Sequence, residues 1–176
     1  MPVGEHHDGY KMYDSDLSQW TSVKQAPRCD FLGELRKECD KQGVTFATSS
    51  HRAEHFWFLN GGRTVGYDNE VLDEKYRDFY GPAHNIHKIN NLHNLLKQEH
   101  GITPTKEWLE DWLVNSCELI DKYHPETLFF DWWVMNYAFR PYMKKFLAYY
   151  YNRSVEWDKE VCVQYKSDAI MYNVGI

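Results

Sequence analysis

Three stretches of the chain space apolar residues three or four apart, the period of a helix that buries one face. From Arg28 to Gln42, Leu32, Leu35 and Cys39 share a face, charges fill the other, and Gly43 stands where a left-handed C-terminal residue belongs. In the second stretch Thr103 is the expected N-cap with Pro104 at the first helical position. Leu109, Trp112, Leu113, Ser116, Ile120 and Tyr123 form its apolar stripe, and Pro125 ends it. The third opens at Pro141 and carries Tyr142, Phe146, Tyr149 and Tyr150 on one side. Between the helices lie apolar runs of strand length: Val44 to Ser50, Thr127 to Val134 and Val161 to Tyr165. The segment from Asn60 to about Gly101 follows neither period. Gly61-Gly62, Gly66, Gly81-Pro82 and Asn90-Asn91 punctuate it, with one short helix expected from Leu72 to Tyr80.

The order is helix, strand, insertion, helix, strand, helix, strand. Strands that are apolar on both faces and alternate with helices predict an α/β fold with parallel strands covered by helices. In such folds chemistry gathers at the C-terminal ends of the strands. The residues of unusual chemistry fall there: Ser49 to His55 after the first full strand, Asp131 at the end of the second and Lys166 after the third. His6-His7 opens the chain as if a strand had just finished. A closed (β/α)8 TIM barrel takes roughly 250 residues, so three strands and the trailing edge of a fourth predict a partial barrel. The whole chain, residues 1–176, then reads as a single domain, a fragment of a larger catalytic barrel.

Composition changes this picture little. The chain has 176 residues and a formal net charge of −6, with its cations scattered, which argues against a nucleic-acid partner. No apolar run approaches the roughly 20 residues that span a bilayer, so no membrane partner is expected. The N-terminal residues show no signal peptide, and the compartment stays unknown. Cys29, Cys39, Cys117 and Cys162 have no CxxC spacing and read as buried free thiols. Aromatic content is high, with 13 Tyr, 9 Phe and 7 Trp; such rings fill cores and also stack on sugars.

Asp131 is the sharpest candidate. A carboxylate among Phe129-Phe130 and Trp132-Trp133 is costly unless paired or employed. It reads either as a helix cap or partner of Arg140, or as a nucleophile or base flanked by Trp132 and Trp133 as sugar-stacking surfaces. His6 and His7, adjacent on a strand, would point to opposite sides unless the backbone bends. His51-Arg52-Ala53-Glu54-His55 matches H-x-x-E-H, a zinc-hydrolase pattern that needs both histidines on one helical face. The preceding residues favour a strand running into a loop, and the third ligand would have to come from Glu107, Glu110 or Glu118. His84, His87, His93 and His100 fit no metal spacing. Lys166 reads as orienting a carboxylate or as an exposed strand-end lysine.

Five segments in register resemble one family. Glu5-His6-His7-Asp8-Gly9-Tyr10 with Tyr13-Asp14-Ser15 is similar to the HHDGF…WDS segment of the α-L-fucosidases of glycoside hydrolase family 29. Arg28-Cys29-Asp30-Phe31-Leu32-Gly33-Glu34-Leu35 resembles the helix that follows, and Ala53-Glu54-His55-Phe56 stands where the family often has Leu-Glu-Trp-Phe. Leu119 to Glu126 looks like its ELIxxYxPD helix end, and Phe129-Phe130-Asp131-Trp132 falls where it carries W-F-D-G. The resemblance implies a (β/α)8 barrel that releases terminal L-fucose from glycoconjugates with retention and without a metal or other cofactor. Asp131 would be the nucleophile, and His6, His7, Glu54 and His55 would line the fucose pocket; Trp57 joins Trp132 as a candidate sugar-binding residue on its aromatic chemistry. His55 and Trp132 depart from the family's Trp and Gly, and the family's first strand has no counterpart here. Its general acid/base follows the next strand, so the chain is expected to end at Ile176 before reaching it, with Glu54 as the one substitute at hand.

Two other classes compete with this reading: a zinc-dependent hydrolase built on His51, Glu54 and His55, and a non-catalytic carbohydrate-binding module in which Asp131 only accepts hydrogen bonds. An incomplete barrel also predicts self-association through its open edges.

Overall fold

A computed structural model of the chain describes residues 1–57, 70–82, 103–131 and 133–166. Trp132 and His84, His87, His93 and His100 therefore lie outside the described residues, as does most of the aperiodic segment. Four strands form one parallel sheet in the order β1 (Val3–Glu5), β2 (Ala47–Ser50), β3 (Thr127–Phe130) and β4 (Cys162–Tyr165). Helix α1 (Phe31–Gln42) connects β1 to β2. Residues 52–57 form α2, and two 3-10 turns, Glu70–Leu72 and Glu74–Tyr76, lead into α3 (Arg77–Tyr80). Helix α4 (Lys106–Tyr123) precedes β3, and α5 (Arg140–Trp157) carries the chain from β3 to β4. The described residues are thus α/β, part of a parallel barrel.

Helix ends follow short-range chemistry. Asp30 caps α1 by accepting from the Gly33 N–H at 3.0 Å, and Gly43 (φ 63°) closes it in the left-handed region. Helix α4 starts two residues later than expected, because Thr105 rather than Thr103 accepts from the Trp108 N–H. Pro104 lies before that cap, outside the helix. His124 (φ 43°) ends α4.

The core lies between sheet and helices. Leu128, Phe130 and Val163 from the strands meet Trp112, Ile120, Phe146 and Tyr150, all fully buried. The Trp112 ring stands 5.3 Å from Phe130 and meets Phe139 edge-on at 5.1 Å. Much of the aromatic content among the described residues packs into this core. Leu35 and Tyr149, expected on apolar faces, are 44% and 38% exposed. The four cysteines are free but only partly buried, a correction to the expectation of full burial.

Glu126 ties α1 to the start of β3. It accepts from Arg36 at 2.7 Å, from Lys159 at 3.0 Å and from the Phe46 N–H at 3.0 Å. Burial alone would raise its carboxyl, but these donors hold it at about 2, against an ordinary 4.5. The folded-state value lies below the unfolded one, so this contribution is complete above about pH 4.5 and disappears as pH falls towards 2. Glu126→Gln is expected to cost about 1 kcal/mol at pH 7, allowing for partial exposure. It should also flatten stability between pH 4.5 and 2 in urea titrations followed by circular dichroism.

Candidate active site

Register brings the site together. Ser50 pairs with Phe130 and Phe130 with Tyr165, so Asp131 and Lys166 both lie one residue beyond strand ends that are level. The His51 N–H donates to the Glu5 carbonyl at 2.9 Å, and the Lys166 N–H to that of Phe130 at 3.2 Å. His6, His51, Asp131 and Lys166 therefore form one row along the C-terminal edge of the sheet.

The Asp131 carboxylate is 20% exposed, with one oxygen 3.0 Å from Lys166 Nζ and the other 3.7 Å from His51 Nδ1. Arg140 is not its partner; that guanidinium lies over the Tyr137 ring at 4.0 Å. His51 Nδ1 donates more closely to Glu54 Oε1, at 3.2 Å, and His51 Nε2 lies 3.3 Å from Ser49 Oγ. The other oxygen of Glu54 takes a short hydrogen bond from His7 Nδ1. Burial would raise the Glu54 carboxyl, but the hydrogen bonds from His51 and His7 outweigh it and keep Glu54 ionised. The ligand-capable atoms of His51, Glu54 and Asp131 lie within 4.8 Å of one another.

His6 and His7 converge because β1 stops at Glu5 and the chain turns. Gly9 closes that turn at φ 87°, its N–H donating to the His6 carbonyl, and a Cβ there would stand 2.4 Å from the Phe79 carbonyl oxygen. The bend brings the two imidazoles to 3.7 Å between ring centres, with His6 4.8 Å from His51.

Two of the expected sugar-binding residues sit elsewhere. His55 is fully buried, its Nε2–H donating to the His6 carbonyl at 3.0 Å, and burial pushes its ring down to about 4, so it is neutral. It supports the His6-His7 turn from behind rather than lining the pocket. His55 Nε2 is committed to the His6 carbonyl, and among the described residues His55 joins neither group of converging ligand atoms that contains His51, so the H-x-x-E-H zinc geometry fails. Trp57 is 2% exposed and stacks on Trp133 at 4.5 Å between centres. Trp133, expected beside Asp131 as a sugar platform, is buried likewise and held at φ 78°, a conformation that costs a bulky residue about 1–3 kcal/mol.

Beneath the site lies a charge network that sequence patterning did not reveal. Glu5 accepts from Lys11 Nζ at 2.5 Å and from Arg52 at 2.6 Å, Lys11 also donates to Asn115 at 2.9 Å, and Arg52 donates to Asp111 at 2.6 Å. Lys11, Glu5 and Arg52 are each no more than 3% exposed. Burial would raise the Glu5 carboxyl, yet Arg52 and Lys11 hold it at about 2.

Fold and site together define a barrel-type α/β site in which a carboxylate at a strand end is held by a lysine and faces a histidine cluster. The sequence profile of the alpha-L-fucosidase family matches residues 1–174, and the chain belongs to that family. Solved structures share the fold. An alpha-L-fucosidase is 24% identical with a TM-score of 0.59, the match covering 92% of this chain and 29% of that one. The Thermotoga maritima alpha-fucosidase in complex with fucose matches at 24% identity and a TM-score of 0.59, over 92% of this chain and 30% of that one. The same Thermotoga maritima enzyme in complex with a mechanism-based inhibitor gives 24% identity and a TM-score of 0.58, with equal coverage. This chain therefore spans less than a third of the length of those structures. No curated protein sequence matches it significantly.

Proposed function

We propose that this chain is the nucleophile-bearing part of a retaining α-L-fucosidase barrel acting on terminal L-fucose of glycoconjugates. The observation that carries the reading is the placement of Asp131 at the end of β3, its carboxylate 3.0 Å from Lys166 and facing His51 and Glu54. Lys166 pairs with the carboxylate and turns it along the row of strand ends. In the first step one Asp131 oxygen forms a bond to the anomeric carbon as the bond to the aglycone oxygen breaks, and a general acid supplies the proton that oxygen needs. Water then hydrolyses the fucosyl ester and frees the carboxylate.

Glu54 has the position of an acid but not the protonation. One of its oxygens lies within 4.8 Å of an Asp131 oxygen, compatible with the roughly 5–5.5 Å separation of retaining pairs. A general acid must be protonated near neutral pH, whereas His51 and His7 stabilise the Glu54 anion. Glu54 is therefore assigned to accepting hydrogen bonds from sugar hydroxyls, with His6 and His7 at the pocket mouth. The acid is assigned to a residue outside those described. Trp132 keeps its proposed role as a sugar contact on its place next to Asp131 in the sequence alone.

The test is incubation with 2-fluoro-fucosyl fluoride, whose good leaving group needs little protonation and whose fluorine slows hydrolysis of the ester. Peptide mass spectrometry is expected to find one added fluorofucosyl group on the peptide containing Asp131. An adduct confined to any other peptide would sink the assignment. Saturable fucose binding unchanged in Asp131→Asn, with no adduct, would point to a binding module instead.

A further inference from the structure

The H-x-x-E-H pattern fails as a zinc motif, yet one of its histidines joins a different set. His6, His7 and His51 present ligand-capable nitrogens within 4.8 Å of one another. His51 is buried and fixed, whereas His6 and His7 are exposed at the turn and have room to adjust. Glu54 accepts from Nδ1 of both His7 and His51. A ring that gives its Nδ1–H to a carboxylate keeps the other nitrogen deprotonated and oriented, the arrangement that supports histidine ligands in metal sites. The hydroxyl of Ser49, at 3.3 Å from His51 Nε2, is the weak contact that a cation would replace.

We propose that His6, His7 and His51 form a site for a borderline-soft divalent cation such as Zn²⁺, with Glu54 orienting two of the three imidazoles. Three imidazoles suit zinc, nickel or copper and not the hard, oxygen-seeking magnesium or calcium. Asp131 lies at the edge of the site, sharing His51 with it. That carboxylate approaches His51 from its Nδ1 edge, whereas the cation takes Nε2, so the site adjoins the nucleophile without including it. It plays no part in the glycosidic step.

The test is calorimetric titration of untagged, metal-free chain with ZnCl₂, paired with CoCl₂ titration followed by visible absorption. One equivalent of each is expected to bind, the cobalt complex showing the intense bands of a low-coordinate nitrogen site, while MgCl₂ and CaCl₂ give no heat at the same concentrations. His51→Ala and the double variant His6→Ala/His7→Ala are each expected to weaken zinc binding at least about 10-fold. The double variant alters only exposed side chains, so it keeps its fold even if His51→Ala does not. Undiminished affinity in the double variant, or no stoichiometric binding by the unaltered chain, overturns the site. The readout is binding rather than turnover, so the result is independent of the nucleophile assignment.

Discussion

Asp131→Asn is expected to leave the chain folded and to abolish covalent capture by 2-fluoro-fucosyl fluoride. The rate should fall by on the order of 10⁴-fold or more, the scale of loss when a covalent nucleophile is deleted. The substitution is nearly isosteric, the side chain is one-fifth exposed and its ion-pair partner Lys166 is half-exposed, so little stability is at stake. An amide cannot donate the electron pair that forms the ester, and no neighbouring group replaces it. Glu54 is the other carboxylate in the cluster, but His51 and His7 already occupy both of its oxygens. Stopped-flow or mass-spectrometric rates, with circular dichroism to confirm folding, check the outcome. Labelling at an unchanged rate would show that the ester forms elsewhere.

Much of the fold was legible because helices and strands here obey their periods. Alternation of apolar strands with amphipathic helices carried the parallel sheet, and Asp131 stood out because a lone carboxylate interrupted an apolar strand. What escaped depends on contacts between distant segments. Whether His55 joins His51 depends on the His6 carbonyl, a partner 49 residues away that takes His55 Nε2, and no pattern in the pentapeptide marks that contact. The convergence of His6 and His7 depends on where β1 ends and on the turn closed by Gly9, a bend that the HHDG sequence permits without requiring. Trp57 and Trp133 looked like sugar platforms by composition, but mutual stacking uses their faces up. Lys11 lies in a polar stretch with no apolar period, so nothing local predicted complete burial; its partners Glu5, Asn115 and Arg52 are brought to it by the fold.

Glu5→Gln should be the most destabilising single change in the described structure, at about 3–5 kcal/mol, the range for breaking a buried ion pair from one side. The carboxylate is the one anion in direct contact with both Lys11 and Arg52, and removing it leaves two buried cations. Arg52 retains Asp111 at 2.6 Å, but Lys11 is left with the neutral Asn115. Burial already pushes the Lys11 ammonium down and Glu5 opposes that, so without Glu5 the lysine is driven towards its neutral form. Lys11→Met, by contrast, leaves Glu5 paired with Arg52 and should cost less. In the Glu5→Gln/Lys11→Met double variant the stranded ammonium is gone, so the loss should be smaller than for Glu5→Gln alone. Urea unfolding at pH 7 of the four proteins forms a double-mutant cycle that measures this coupling. Additive losses would show that the two charges do not sense each other. The same network bears on the site, because Arg52 and His55 belong to the helix that carries Glu54, and His55 holds the His6 carbonyl. Loosening it is therefore expected to slow capture of the fluorofucosyl group at Asp131 even in molecules that remain folded.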